Sequence, residues 1–152
     1  MTTLTLPSLQ RAIIQVDNAG TFGQVYDRAL PVLRPGHVLI KVAAVALNPC
    51  DWKMSSAFPY KGASCGSDFA GCVVKIGENV THLGVGDCVA GAVHANNPIN
   101  PTSGAYAQFA TVDSQLLWRI TNEMSWGEAA TIGLCGVGPS AQSARRPGTI
   151  SS

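Results

Sequence analysis

Residues 37–54 read HVLIKVAAVALNPCDWKM, and this stretch combines the two patterns that decide the fold. Its first half is apolar at every second position, and these residues are Val38, Ile40, Val42 and Ala44. Such alternation predicts a strand with one buried face. In the second half Asn48 suits a helix N-cap, Pro49 the first helical position and Asp51 the first turn. The stretch therefore predicts a long strand that leads directly into a capped helical turn.

Further short segments of β type surround this strand. They read RAIIQV, DFAGCVVKIG, DCVAGAVH, GAYAQFATV and QLLWRI, and turns containing glycine or proline separate them. Gly84 and Gly86, just before Asp87, predict a tight turn. Many short strands with such turns are typical of an all-β barrel or sandwich. Ser125 and Glu128 form a capping box ahead of AATIGL, which predicts a short apolar helix at a junction.

The composition excludes several classes of protein. Only 12% of the 152 residues are charged, 46% are apolar and the formal net charge is +1, which is typical of a compact globular chain. The sequence has no basic block that would indicate nucleic-acid binding and no uncharged apolar run that could span a bilayer. Its first residues lack the basic start and apolar core of a secretory signal. The five cysteines are scattered, so we expect no disulfide framework and a cytoplasmic location.

The polar residues of NPCDWK admit three interpretations at this point. They are metal ligands, the lining of an active site, or merely the start of a helix, and the local signals favour the capped helical turn. His37, His82 and His94 stand in strand or turn contexts without a histidine partner four residues away. We expect these three to be surface or packing histidines.

Four stretches together resemble a known family. They read VLIKVAAVALNPCDWK, GSDFAGCVVKIGENVTHLGVGDCVAG, GAYAQFATVDSQLLWRI and MSWGEAATIGL, in the order and spacing of the N-terminal, GroES-like domain of the medium-chain dehydrogenase/reductases. The resemblance runs from about Arg11 to Leu134. Within that family, ALNPCDWKM and GSDFAGCVV are most similar to the fungal trans-acting enoyl reductases that assist polyketide synthases of the lovastatin type. The quinone and zeta-crystallin-like reductases come next.

The resemblance implies a mainly β fold, a GroES-like β-barrel with short helices, followed by the truncated start of a Rossmann-type α/β domain. Its expected parts are an N-terminal tail over residues 1–10, the GroES-like domain over 11–125, a junction helix over 126–138 and a disordered tail over 139–152. A complete member would continue into a full cofactor domain. We therefore expect this chain to be truncated and to turn over little substrate alone.

The resemblance also bears on metal binding. Zinc-dependent members place a cysteine where this chain has Asn48 and a His-Glu pair where it has Ser67 and Asp68. Catalytic zinc takes three protein ligands from thiolate, imidazole or carboxylate groups, and asparagine and serine are poor substitutes. Cys50 stands two residues too late to serve. We therefore expect a zinc-free member with no metal site.

For a zinc-free member the resemblance implies reduction of an activated C=C bond by NADPH. Hydride goes to the β-carbon of an α,β-unsaturated carbonyl, and a proton goes to the α-carbon. The expected cofactor-lining residues are Cys50, Asp51, Trp52 and Lys53. Lys53 is also the expected catalytic cation, since it could hold cofactor hydroxyls or stabilise an enolate oxygen. The alternative for Lys53 is an exposed helix lysine.

The second implied element begins at Thr131. Its hydroxyl is expected to donate to the cofactor amide or the substrate carbonyl as a further catalytic group. The alternative is a helical threonine that bonds back to its own turn. The residues after it are expected to form a small apolar wall for an acyl chain, so the expected substrate-binding set is Thr131, Ile132, Gly133, Leu134, Cys135, Gly136, Val137 and Gly138.

The substrate implied by the resemblance is an enoyl thioester, which the acyl carrier protein of a polyketide synthase could present. Two other functions remain open. One is a non-catalytic GroES-like module for binding or assembly, and the other is an enzyme similar to the quinone oxidoreductases. NADPH titration of the purified chain, or a strand–GxGxxG–helix segment encoded downstream, would separate an enzyme from a binding module.

Overall fold

A computed structural model describes residues 5–121 and 123–136. The strands are β1 Leu9–Gln15, β2 Phe22–Ala29, β3 His37–Val45, β4 Asp68–Ile76, β5 Cys88–Ala92, β6 Phe109–Asp113 and β7 Leu117–Arg119. The helices are α1 Pro49–Ala57, α2 Trp126–Ala130 and α3 Gly133–Gly136, with a 3-10 turn at Ser114–Leu116. The tail expected over 139–152, like Val137 and Gly138, lies outside the described residues. Within the described ranges, no helix is long and apolar enough to cross a membrane.

A five-stranded antiparallel sheet in the order β6-β3-β4-β5-β7 forms the main body of the fold. Its inner face is apolar, and the side chains exposed by 1% or less there include Val38, Ile40, Phe69, Val73 and Val89. Branched and aromatic side chains pack well on a pleated surface, and their burial removes apolar area from water. The mainly β fold expected from the sequence is confirmed.

The hairpin of β1 and β2 forms a second, two-stranded sheet. It joins the larger sheet through backbone hydrogen bonds at the loops beside α1. The Ile13 N–H donates to the Tyr106 carbonyl at 2.7 Å, and the Cys65 N–H donates to the Ile13 carbonyl at 3.1 Å. These bonds close the β structure around the apolar core.

Two features of the hairpin differ from the sequence prediction. β1 begins at Leu9, inside the expected N-terminal tail, and the buried Gln10 side chain accepts a hydrogen bond from the Phe109 N–H at 2.7 Å. β2 is missing from the prediction, because its sequence FGQVYDRA mixes glycine and charged residues without a clear apolar face. Pairing with β1 and a bond from Arg28 to the Pro101 carbonyl, 3.0 Å long, hold it in place.

β3 departs from the simple alternation predicted for it. Its pairing with β4 is irregular between Leu39 and Ile40 and again between Val42 and Ala44. An irregularity of this kind can reverse the face of the residues that follow. Val38 and Ile40 enter the main core with Val42 at its margin, whereas Ala44 packs against a separate apolar cluster. The prediction of one shared face is therefore wrong at Ala44.

This separate cluster lies where α2 covers β4 and β5. The four alanines that meet there are fully buried, namely Ala70, Ala90, Ala129 and Ala130. The predicted capping box starts α2, because the Glu128 N–H donates to Ser125 Oγ at 3.3 Å and the Ser125 N–H donates to Glu128 Oε2 at 2.9 Å. Small side chains allow this short helix to pack close to the sheet.

The junction helix expected over 126–138 is instead two short helices in the described residues. α2 ends at Ala130, Thr131 is its C-cap, and α3 begins at Gly133. The Thr131 hydroxyl donates to the Glu128 carbonyl at 2.7 Å, a local bond that competes with continuation of the helix. Gly133 then packs directly against the Gly91 carbonyl of β5, which anchors the start of α3 on the sheet.

Candidate functional site

Asp51 anchors the first turn of α1. Its buried carboxylate accepts three hydrogen bonds, from the Asn48 N–H at 2.9 Å, the Tyr106 hydroxyl at 2.7 Å and the Ser67 hydroxyl at 2.8 Å. A buried carboxylate stabilises a fold only when donors replace the water it has lost. Asp51 therefore fixes α1 against the start of β4 and the loop before β6.

Buried amides extend this network beneath α1. Gln15, fully buried at the end of β1, donates to Asn96 Oδ1 at 3.0 Å and accepts from the Tyr60 N–H at 2.9 Å. Asn96 in turn donates to the Asp51 carbonyl at 3.2 Å. Both the beginning of α1 and the loop after it are thus tied to the barrel, which makes α1 a rigid platform.

Tyr106 is a site residue that the sequence prediction missed. Its hydroxyl donates to Asp51 and also lies 3.1 Å from the Ala46 carbonyl. The ring packs against Gly66, whose φ of +84° and missing side chain permit this close approach. Burial, followed by the hydrogen bond to Asp51, raises the pKa of Tyr106, so the phenol remains a neutral donor. No local pattern in the sequence indicates this contact, because Tyr106 stands 55 positions from Asp51.

Asp68 is the second buried carboxylate of the site, and its environment is less complete. Its Oδ2 accepts a hydrogen bond from Asn48 Nδ2 at 2.9 Å, but Oδ1 is buried without a hydrogen-bond partner. The Leu134 N–H is close enough to favour the charged form slightly, although its geometry falls short of a hydrogen bond. Burial is the dominant influence and raises the pKa of Asp68. Asp68 thus resists ionisation more than an exposed carboxyl does.

The residues expected to replace zinc ligands form hydrogen bonds within the chain. Asn48 donates through its side chain to Asp68, and Ser67 donates to Asp51. Among the residues that the structure describes, no group of three or more His, Cys, Asp or Glu side chains is arranged to hold a metal ion. That the protein is zinc-free remains a prediction, which metal analysis of the purified protein can test.

The four residues expected to line the cofactor lie on different faces of α1. Asp51 is buried and its carboxylate is occupied by donors of this chain, while Cys50 is half-buried. Trp52 and Lys53 face outward, and the Lys53 ammonium lies 5.6 Å from the centroid of the Trp52 ring. The role of all four in cofactor binding remains a prediction. Trp52 and Lys53 are the two whose polar or aromatic groups are free to meet a ligand.

The expected substrate wall lies partly at the surface. Thr131 is exposed, and its hydroxyl is occupied by the Glu128 carbonyl, which matches the alternative interpretation of this residue. Ile132 and Leu134 are 38% and 47% exposed. Gly133 is buried, and Cys135 and Gly136 complete α3.

The two expected elements approach each other at Asp68. Asn48, at the N-cap of α1, binds one of its oxygens, and the other oxygen lies beside Gly133 at the start of α3. A Cβ added to Gly133 would lie 2.7 Å from Asp68 Oδ1. Lys53 and Thr131 stand on these converging elements, and no hydrogen bond joins the two side chains in the described structure.

An apolar groove of about 320 Å³ opens beside this site. β3 supplies the largest share of its lining, Ile13 of β1 adds one side chain, and Leu47 and the loop residues Ala105, Tyr106 and Ala107 form the rest. Tyr106 therefore belongs both to the groove and to the Asp51 network. The groove can hold an extended apolar group with one end close to the Asp51 network.

Known proteins share this architecture. Residues 34–122 match the family model of the alcohol dehydrogenase GroES-like domain. A trans-enoyl reductase of Thermothelomyces thermophilus is 47% identical over 137 residues, which cover 88% of this chain and 37% of that protein. The chain therefore spans little more than a third of the length of this relative.

Solved structures agree on the fold. An alcohol dehydrogenase superfamily protein from Novosphingobium aromaticivorans is 30% identical, with a TM-score of 0.71 over 82% of this chain and 38% of that one. A mycobacterial protein solved in complex with NADPH is 27% identical, with a TM-score of 0.65 over 80% and 37% of the two chains. The family match covers more than half of the chain, and the chain belongs to the alcohol dehydrogenase GroES-like domain family of the medium-chain dehydrogenase/reductases.

Proposed function

We propose that this chain is the GroES-like part of an NADPH-dependent reductase of activated C=C bonds, of the enoyl reductase type that serves polyketide synthesis. The observation that carries the proposal is the 47% identity to a trans-enoyl reductase across 88% of the chain. Because the chain spans 37% of that relative, the activity is proposed for this chain together with a cofactor domain. Alone, it is proposed to be poorly active.

NADPH is the proposed cofactor, and the solved mycobacterial relative is a complex with it. The exposed faces of Trp52 and Lys53 fit such a ligand, because an ammonium suits phosphate or ribose oxygens and an indole offers a flat apolar surface. In the described part of the chain, the Lys53 ammonium forms no ion pair. When bound, NADPH supplies the hydride that reduces the β-carbon of the unsaturated carbonyl.

The residues of this chain have the tasks of binding, orienting and stabilising charge. Lys53 is proposed to hold cofactor hydroxyls or to stabilise the oxygen on which enolate charge develops. Thr131 is proposed to turn its hydroxyl from the Glu128 carbonyl to the substrate carbonyl or the cofactor amide. Asp51 has no chemical step in this scheme, since its hydrogen bonds keep α1 in position.

The proposed substrate is an enoyl thioester presented by the acyl carrier protein of a polyketide synthase. The apolar groove beside Tyr106 supports a substrate with a hydrocarbon chain, because burying methylene groups in such a groove is favourable. The groove also suits the hydrophobic part of a quinone. The reacting group therefore has to be identified by experiment.

The test joins residues 1–136 to the remaining segment of the Thermothelomyces relative and measures NADPH oxidation with a crotonyl thioester and with a quinone. We expect the thioester to be reduced faster, and the intact relative serves as the matched control. A fusion that binds NADPH but reduces only the quinone would identify a quinone reductase. A fusion that binds no NADPH, while the intact relative does, would support a non-catalytic module.

A further inference from the structure

Cys72 and Cys88 face each other across the antiparallel strands β4 and β5. They are register partners, and their sulfur atoms are 3.9 Å apart. Both thiols are free. The pair is separated by fifteen residues of chain, so a sequence prediction based on scattered single cysteines does not reveal it.

The pairing geometry suits a disulfide. The next pair along the ladder is hydrogen-bonded, since the Val73 N–H donates to the Asp87 carbonyl at 2.9 Å. Pairs alternate in an antiparallel ladder, so Cys72 and Cys88 occupy a non-hydrogen-bonded position, where Cα atoms are about 4.5 Å apart and side chains are closest. Disulfides form over Cα distances of about 4.4–6.8 Å. Rotation of the two side chains can therefore bring the sulfurs into bonding distance without moving the strands.

The pair is also accessible without unfolding. Cys88 is exposed and Cys72 is half-buried, whereas the neighbouring Val73 and Val89 point into the core. Cys65 provides the contrast within the same domain, because it is fully buried and burial raises its pKa to about 12. A small oxidant in solvent can reach Cys88 directly and cannot reach Cys65.

The groups around Cys72 influence how readily its thiol ionises and reacts. Burial is the main reason that the pKa of Cys72 is raised, and the adjacent Cys88 thiol adds to the effect. Lys41, the register partner of Cys72 on β3, acts in the opposite direction and favours the thiolate. Attack should therefore begin at the exposed Cys88, and closure by Cys72 should be faster at higher pH.

We propose that Cys72 and Cys88 are a redox-active pair that forms a reversible cross-strand disulfide with a small-molecule disulfide, such as oxidised glutathione, as the oxidant. The Cys88 thiolate attacks one sulfur of the oxidant and releases one glutathione thiolate. The Cys72 thiolate then attacks the Cys88 sulfur, the mixed disulfide breaks, and the second glutathione thiolate leaves. The two protein thiols lose two electrons and two protons, and the oxidant is reduced to two thiols.

The test incubates the full chain with oxidised glutathione and maps its cysteines by mass spectrometry after blocking free thiols. We expect a peptide crosslinked through Cys72 and Cys88, loss of both thiols, and recovery of both after treatment with a reducing agent. Cys72→Ser should instead keep one glutathione on Cys88, because no resolving thiol is present. Cys50→Ser is the matched control and should form the crosslink as the parent chain does.

Two results would overturn the proposal. In the first, the parent chain keeps glutathione on Cys88 and does not form the crosslink. In the second, Cys72 and Cys88 both remain free, although the same oxidant forms a disulfide in a control peptide with two thiols. Circular dichroism of each variant checks that it is folded. If Cys72→Ser does not fold, Cys72→Ala gives the same readout.

Discussion

The two buried carboxylates of the site, Asp51 and Asp68, share one neighbour and differ in how well they are satisfied. Asp51 accepts three hydrogen bonds from Asn48, Tyr106 and Ser67. Asp68 accepts one, from the Asn48 side chain, and its second oxygen is buried without a partner. The difference separates a carboxylate whose two oxygens both have donors from one that keeps a buried oxygen without a donor.

The region around Asp51 behaves as a scaffold, because every oxygen has a donor and α1 is tied to the barrel on two sides. The region around Asp68 is a junction, where the start of α3 lies against β4 and β5 and one polar atom is unsatisfied. Unsatisfied buried polar groups in native proteins often lie at functional or strained places. Substitutions with control variants test this comparison, in descending order of their expected effect on the free energy of unfolding.

Asp51→Ala should have the largest effect. It leaves the half-buried Asn48 N–H and the buried Ser67 hydroxyl without their acceptor and deprives the Tyr106 hydroxyl of its shorter bond. Each unsatisfied buried donor costs about 1–3 kcal/mol, so we expect a total loss of about 3–5 kcal/mol in urea unfolding.

Tyr106→Phe is the matched control for Asp51→Ala. It removes a single donor and leaves two others on the carboxylate, so we expect a loss of about 1–2 kcal/mol. If Asp51→Ala destabilises the chain no more than Tyr106→Phe does, the Asp51 network is not the scaffold described here.

Gly133→Ala should have the second largest effect. The new Cβ would overlap the Gly91 carbonyl and approach Asp68 Oδ1 to 2.7 Å, so α3 has to move away from the sheet. Overpacking of this kind costs about 1–3 kcal/mol, and hydrogen exchange of the α3 amides should report the loosening directly.

Gly127→Ala provides the comparison, because a Cβ at Gly127 in α2 would meet no atom within 4 Å. Alanine favours a helix over glycine by up to about 1 kcal/mol, so this variant should be unchanged or slightly more stable. Equal unfolding curves for the two alanine variants would contradict the close packing of α3.

Asp68→Asn should have a smaller effect that depends on pH. The folded-state pKa of Asp68 is raised above its ordinary value of 3.8, mainly by burial, so the folded chain binds more protons than the unfolded chain over that window. Stability therefore falls as the pH rises from about 3.8 through the raised pKa. Asparagine cannot ionise, so the variant should lose this decline and be at least as stable as the parent at neutral pH.

Asp87→Asn should change the pH dependence in the opposite direction. The Gly84 N–H, then Arg119, lower the pKa of Asp87, so the parent gains stability as the pH rises through the lowered pKa toward 3.8. A variant without Asp87 should lose that gain. If Asp68→Asn keeps the decline of the parent, the raised pKa of Asp68 is contradicted.

Lys53→Ala should have the smallest effect on stability, within about 0.5 kcal/mol, because the residue is exposed. In the fusion enzyme, however, its loss should lower the rate on a crotonyl thioester by about 10²-fold. Thr131→Val should also lower that rate. Lys61 is another exposed lysine, so Lys61→Ala is the control for loss of surface charge. If the rate of Lys53→Ala is within about twofold of the rate of this control, Lys53 is a surface residue without a role in catalysis.

Much of the fold could be predicted because its signals are local. Alternation marked β3, glycines marked the turn before β5, and the Ser125–Glu128 box marked the start of α2. β2 could not be predicted from the sequence, because a polar edge strand has no apolar face to recognise. Ala44 lies on the opposite face from the predicted one, because a bulge depends on the partner strand and cannot be identified from β3 alone.

The candidate site was less predictable than the fold. The sequence by itself determined that Asn48, Pro49 and Asp51 would start a helix after a buried strand, because capping involves residues three or four positions apart. Only the tertiary structure decided that Asn48 would bind Asp68, twenty positions away, and that Tyr106 would reach Asp51 across 55 positions. The same holds for the facing thiols of Cys72 and Cys88. Such contacts depend on strand register and on the bulges that set it, and these are properties of paired strands rather than of any single segment.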